Sequence, residues 1–199
     1  MRKIVQDNRS TRRTRAAIER SLLEILAQKP VNKITVQEII DRANICRTTF
    51  YAHYQDIYDL IESIGNTIID EIGAQLDDLD ETPVRVEGQY PTIVSVVKLY
   101  AKHADTIRLL NGPNGDMTFD KRLQDKIYEE TRRLREIKDG PKFDLERHRL
   151  YSCYVISGGI SVLNRLLKEG QDWDIDTYSH ILCEMAVTGE RVFLEEAPE

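Results

Sequence analysis

The chain has 199 residues, enough to bury a sizeable core in one domain or in a small domain plus a larger one. With 41% apolar and 31% charged residues it has the composition of a soluble globular protein, and no apolar run approaches the roughly 20 residues of a membrane span. The net charge of −6 hides an asymmetry: residues 1–60 hold 11 Lys/Arg against 7 Asp/Glu, and the remainder holds 17 against 27. Such a basic end on an acidic body suggests that one end alone meets a polyanion, although a solvated, frayed terminus fits the charge equally well. The opening "MRKIVQDNRSTRRTR" lacks the apolar stretch of a secretory signal, so a cytoplasmic protein is expected.

In chain order the periodicity is helical almost throughout. Arg13 to Lys29 puts Ala17, Ile18, Leu22, Ile25 and Leu26 on one face, and Pro30 closes the segment. Thr35 followed by Glu38 is a capping-box pattern that opens a short helix with Val36, Ile39, Ile40 and Ala43 inward. Asn44, which tolerates the left-handed conformation, ends it. Arg47 to Tyr54 predicts another short helix, and a long one runs from Asp56 to about Gln75 with Ile57, Leu60, Ile61, Ile64, Ile68 and Ile72 as its stripe. An acidic, Pro-containing linker, "DDLDETPVRVEGQYP", separates it from helices at Thr92–Lys102, about Asp105–Leu110, Phe119–Ile137, Asp144–Glu169 and Asp174–Leu194. Strand alternation and internal repeats are absent, so the fold class is all-α.

Cys46, Cys153 and Cys183 have no CxxC or metal-ligand spacing and read as reduced, buried thiols. His53, His103, His148 and His180 form no cluster. No nucleophile–base pair, paired carboxylates, phosphate loop or metal set is visible, so no catalytic residue, metal or cofactor is expected.

Two short helices joined by a three- or four-residue turn make a helix-turn-helix unit, whose second helix enters the DNA major groove. On a helical wheel Phe50 and Tyr54 share the inner face and, with Ile45, would pack on Ile39 and Ile40. Thr48 and Tyr51 point away, with Thr49 and Ala52 on the flank and Arg47 at the start. Small hydroxyl side chains approach base edges closely, Arg pairs with guanine or phosphate, and Tyr51 and His53 suit phosphate oxygens. The N-terminus at Thr35 offers N–H groups to a phosphate, and Lys33 stands beside it. Any one of these residues alone would read as an ordinary helical surface; the capped helix, tight turn, core Phe50 and basic arm together favour DNA.

These residues resemble the TetR/AcrR family of transcription regulators. The resemblance runs from about Arg13 to Ile64 and rests on the first helix, "ITVQEI", the turn hydrophobe Ile45, and "TFYAHY" followed by Asp56 and Leu60. It implies a helix-turn-helix DNA-binding domain over residues 1–55, joined by the long helix to a helical ligand-binding and dimerisation domain over 56–199. "LLNGPNGD" and "YSCYVISGGISVLNRLLKEG" are similar to segments of the branch that includes the dihydroxyacetone-kinase activator type. This chain departs from the family pattern at Asn44 (often Gly), at Cys46 (often Ser or Thr), and at Ile57, where the family commonly carries a Lys that contacts the DNA backbone.

The resemblance also implies a ligand cavity walled by the helices at 92–137 and 144–169. Tyr100, Phe119, Tyr128, Tyr151 and Tyr154 are candidates to line it, although aromatics at helical spacing are more often core. "NGPNGD" reads as a turn, with anion binding through its backbone as the alternative. Gly158-Gly159, mid-helix, suggests close backbone approach either within the fold or across a dimer axis. Trp173 is expected to pack at the start of the last helix. The apolar stripe Ile160, Leu163, Leu167, Ile181, Cys183, Val187 and Leu194 exceeds what one helix pair needs, which predicts a homodimer through a four-helix bundle. The expected function is a dimeric repressor of a palindromic operator in double-stranded DNA, responsive to a small-molecule effector. The alternative is a co-regulator of the same fold that acts through protein contacts.

Overall fold

The computed structural model describes residues 9–79, 86, 89–142, 144–170 and 174–193. The described helices are α1 (Arg9–Leu26), α2 (Val36–Ala43), α3 (Arg47–His53), α4 (Ile57–Asp77), α5 (Pro91–Lys102), α6 (Ala104–Leu110), α7 (Phe119–Asp139), α8 (Leu145–Glu169) and α9 (Ile175–Phe193). Two 3-10 turns that the sequence reading did not anticipate, Val31–Lys33 and Gly140–Lys142, add to them. The only β pairing among the described residues is one isolated bridge between Val86 and Gln89. None of these helices is long and apolar enough to cross a membrane. Trp173, Leu194 and the basic residues ahead of Arg9 lie outside the described residues.

The chain divides into two compact units, with the boundary inside α4 between Asn66 and Thr67. The first unit comprises α1 to α3, the first half of α4, and the returning segment Leu109–Phe119. Its core is Ile18 and Leu22 from α1, Ile39 and Ile40 from α2, Phe50 and Tyr54 around α3, and Leu60 and Ile61 from α4, all buried. At about 1.5–3 kcal/mol for each fully buried large apolar side chain, such packing holds helices as short as α2 and α3, which would not persist in isolation. Polar ties fix their order: the Tyr54 hydroxyl donates to Glu19 Oε1 at 2.9 Å, and the Val31 N–H donates to Asn114 O at 3.0 Å.

The second unit comprises the rest of α4 and the helices from α5 onward, apart from Leu109–Phe119. In it α9 packs against both α5 and α8. Val97, Leu99, Tyr100, Ile107, Leu123, Leu163, Cys183 and Ala186 are buried there. The helix starts follow local rules: Pro91 opens α5, Asp144 accepts from the Arg147 N–H at 3.0 Å to cap α8, and Asp174 accepts from the Thr177 N–H at 3.0 Å. Gly170 ends α8 at φ 66°, where a side chain would be strained.

One expectation is corrected. Only Cys183 is buried, whereas Cys46, in the turn ahead of α3, and Cys153, on the outer face of α8, are exposed. The loop Asn111–Asp116 is a turn, the reading its sequence favours, and the N–H groups of its two last residues are consumed internally: Gly115 donates to Gly112 O at 3.1 Å and Asp116 to Leu110 O at 2.8 Å. A Cβ at Gly115 would come within 2.2 Å of the Leu110 carbonyl oxygen, so only glycine fits.

Candidate functional site

The helix-turn-helix of the first unit is built from short-range chemistry. Thr35 Oγ1 accepts from the Glu38 N–H at 3.3 Å, and Glu38 Oε2 accepts from the Thr35 N–H at 2.9 Å, closing the capping box. Glu38 Oε1 also takes the Lys29 ammonium at 2.5 Å. That bond, followed by those from Thr35, pulls the Glu38 carboxyl down to about 2. The start of α2 therefore carries its own carboxylate, and two of the N–H and hydroxyl groups expected to face a phosphate are engaged with it. Asn44 sits at φ 52°, ψ 52°, and its N–H and that of Ile45 return to the last turn of α2. Cys46 gives α3 no side-chain cap; its Sγ lies 3.0 Å from Thr49 Oγ1 instead, and bonds from Thr49 lower its thiol pKa.

On α3, Phe50 is fully buried and fixes the rotation of the helix. Arg47, Thr48 and Tyr51 are consequently exposed, with Tyr51 at 48%. The Arg47 guanidinium stacks over the Tyr51 ring at 5.6 Å, and the ring meets Phe50 edge-on at 5.4 Å. Thr49 and His53 are half-buried, and Lys33 and Thr35 are exposed. Burial, then the charge of Arg15, lowers the His53 pKa, so its imidazole is neutral at pH 7. Ile57 is buried and faces inward, where no Lys would stand. Ahead of it, Asp56 Oδ1 accepts from the Asp59 N–H at 2.8 Å. Sequence reading missed Arg15, one turn before the Glu19 that holds Tyr54: the first described basic residues, Arg9, Arg12, Arg13 and Arg15, are helical rather than part of a loose arm.

The second unit contains a cavity of about 330 Å³ with walls from α5, α7, α8 and α9. Of the five aromatics expected there, Tyr151 and Tyr154 line it. Tyr100 and Phe119 do not, because both are fully buried core side chains; half-buried Tyr128 does not either, and packs 6.0 Å from the His148 ring. The polar wall that sequence reading missed includes Tyr90, Arg135, Lys138 and His148. Arg135 Nη2 donates to Glu190 Oε1, and the Tyr90 hydroxyl donates to Glu190 Oε2. Burial, followed by the charges of Arg135 and Arg132, depresses the His148 pKa to about 4.

Gly158 and Gly159 also line the cavity. A Cβ at either would meet nothing within 4 Å among the described residues, so close approach within the fold is not their reason. Each costs about 1 kcal/mol relative to Ala in mid-helix.

The expected dimer stripe is redistributed. Ile160, Leu163 and Leu167 are buried in the chain's own fold and offer no area to a second copy. Val187 is half-buried on the cluster of Tyr90, Cys183 and Ala186. Ile181 remains exposed at 49%, and so do Tyr154, Val162 and Met185, which were not part of the expected stripe.

Comparison of this arrangement with solved structures gives matches over about nine-tenths of the chain. A TetR transcriptional regulator from Streptococcus agalactiae 2603V is 22% identical, with 89% of this chain and 96% of that chain covered at a TM-score of 0.60. The fold is the TetR fold. The dihydroxyacetone kinase operon activator DhaS superposes with a TM-score of 0.62 at 14% identity, covering 90% of this chain and 97% of its own. The TetR family repressor AlkX from Dietzia sp. strain DQ12-45-1b gives 0.53 at 14% identity, covering 90% and 98%. No protein-family model matches the sequence, and no curated protein sequence matches it significantly. The TetR fold thus accounts for the order of the helices, with the helix-turn-helix first and the cavity-bearing bundle after it.

Proposed function

We propose that this protein is a DNA-binding transcriptional regulator, a repressor that binds a palindromic operator as a homodimer and responds to a small-molecule effector held in the second unit. The observation that carries the reading is the outer face of α3: Arg47, Thr48 and Tyr51 stand exposed on a helix locked from behind by Phe50. A recognition helix lies in the major groove with its N-terminal residues at the base edges, and it reads only a few base pairs, so two copies are needed for a useful site. Lys33, Thr35, Thr49 and His53 flank that face as backbone contacts. In this reading residues 1–55 bind DNA and 56–199 bind the effector and the second copy. Helix α4, which supplies residues to both units, passes the signal.

The test is selection of bound sequences from random duplex DNA with the full chain. An enriched palindrome is expected, and Tyr51→Ala should weaken binding to it by about 1–3 kcal/mol, the size of one specific contact. A second reading, a co-regulator that binds protein rather than operator, draws on one observation: α4 begins with buried Ile57 between Asp56 and Asp59, acidic ground where a phosphate contact would lie. Selection that enriches no sequence would overturn the operator reading in favour of this one.

A further inference from the structure

The cavity in the second unit has a chemical polarity that limits what it can hold. Arg135 and Lys138 line it, and no Asp or Glu is among its described lining residues. The Arg135 side chain is only 14% exposed. Among the described residues its one hydrogen bond runs from Nη2 to Glu190, and Nη1 lies 3.7 Å from Asp139, beyond hydrogen-bond reach. A guanidinium has five donors in a fixed fork that matches a carboxylate. An apolar occupant that expelled water from this wall would strand the remaining donors, and a cation brings no acceptor to them. An oxyanion satisfies them.

The rest of the wall is apolar, supplied by side chains such as Val97, Leu134, Leu163 and Leu182. It also contains the two glycines of α8, whose missing side chains leave space that the described fold does not use. Tyr151 marks the charged end, since its hydroxyl donates to the Ala186 carbonyl at 3.3 Å, one turn before Glu190 on α9. Gly158 lies seven residues further along α8, about 10 Å at the helical rise. Charged group and open glycine face are therefore separated by the length of a short alkyl chain.

We infer that the cavity binds an elongated amphiphile with a single carboxylate head, the head paired by Arg135 and the apolar body lying against Gly158 and Gly159. This deepens the effector-responsive reading above and rests on it for its consequence, not for its chemistry. When bound, the carboxylate competes with Glu190 for the same guanidinium, which weakens the tie between α7 and α9.

The test is calorimetry on the full-length protein with decanoate, 1-decanol and decyltrimethylammonium as probes, each below its aggregation concentration. Saturable decanoate binding is expected, about tenfold or more tighter than decanol, with no saturable binding of the cation. The double variant Arg135→Gln with Glu190→Gln removes both charges, so neither is left buried alone; it should bring decanoate to the level of decanol. Gly159→Leu should not lower the melting temperature or change the oligomeric state, since Leu is the better helix former, and should weaken decanoate about tenfold by filling its space. Decanol binding as tightly as decanoate, absence of saturable decanoate binding, or a Gly159→Leu variant that melts lower, or becomes monomeric, with decanoate affinity intact would each overturn the inference. DNA selection without ligand separates the two proposals. An enriched operator with no decanoate binding rejects only the ligand class, and decanoate binding with no enriched operator rejects only the operator reading.

Discussion

His148 is 3% exposed, accepts or shares a hydrogen bond with Ser152 at 3.1 Å, and faces Tyr128, Arg132 and Arg135 of α7. Burial and the two guanidinium groups disfavour its imidazolium, so its pKa of about 4 is below that of an unfolded histidine, about 6.5. Between those values the unfolded chain binds a proton that the folded chain refuses. The stability contributed by keeping His148 neutral is therefore complete above about pH 6.5 and declines as the pH falls toward 4, by roughly 3 kcal/mol in all. Urea titrations of the wild type and His148→Gln at intervals from pH 7 to pH 4 isolate this, because the carboxylates titrate in both. The wild-type midpoint should fall more steeply over that window; parallel curves would show that His148 is charged in the fold.

Helix α2 has only eight residues and depends on its cap. Thr35→Ala removes the acceptor for the Glu38 N–H and one partner of the Glu38 carboxylate, and should cost about 0.5–2 kcal/mol, read as a lower melting temperature. Asp at position 35 should largely restore it. The ends of α2 were legible in the sequence for the same reason that they are stable: Thr35 and Glu38 are three residues apart, and Asn44 needs only its own backbone. The inward face of α3 was equally legible, since Phe50 and Tyr54 are one turn apart. The cavity wall was not. Arg135 stands in a run of alternating basic and acidic residues that reads as a solvated surface, and only Glu190, 55 residues away, turns it inward. Tyr90 closes what reads as a linker, and its hydroxyl partner is 100 residues downstream. The dimer stripe failed differently: Leu163 and Ile181 are both apolar at helical spacing, and nothing local distinguishes a residue that meets its own fold from one that meets solvent.

For the whole molecule the proposed dimer rests on the exposed apolar side chains of α8 and α9. Ile181 and Met185 are one turn apart on α9, 49% and 50% exposed. Replacing both with Glu should yield monomers in light scattering at micromolar concentration, with the fold intact by circular dichroism and operator binding lost. Leu163→Glu would not make this test, because at 1% exposure it places a charge in the core and unfolds the unit. A wild type that is itself monomeric at that concentration would remove the palindromic operator from the proposal.

The first unit is not one continuous stretch of chain. Residues 9–66 are completed by Leu109–Phe119, which brings the buried Leu110 and Phe119 and the carbonyl of Asn114 that holds Val31. The segment lies between helices that belong to the other unit. A single genetic crossover near residue 66, at the boundary of the two units, would carry α1 to α3 away without the piece that finishes their core. Only donors whose own returning segment fits α1 and the Val31 turn could accept them. Inheritance of the two units is thereby linked, and under the proposed function new pairings of operator and effector would arise by substitution at residues such as Tyr51 and Arg135 rather than by shuffling.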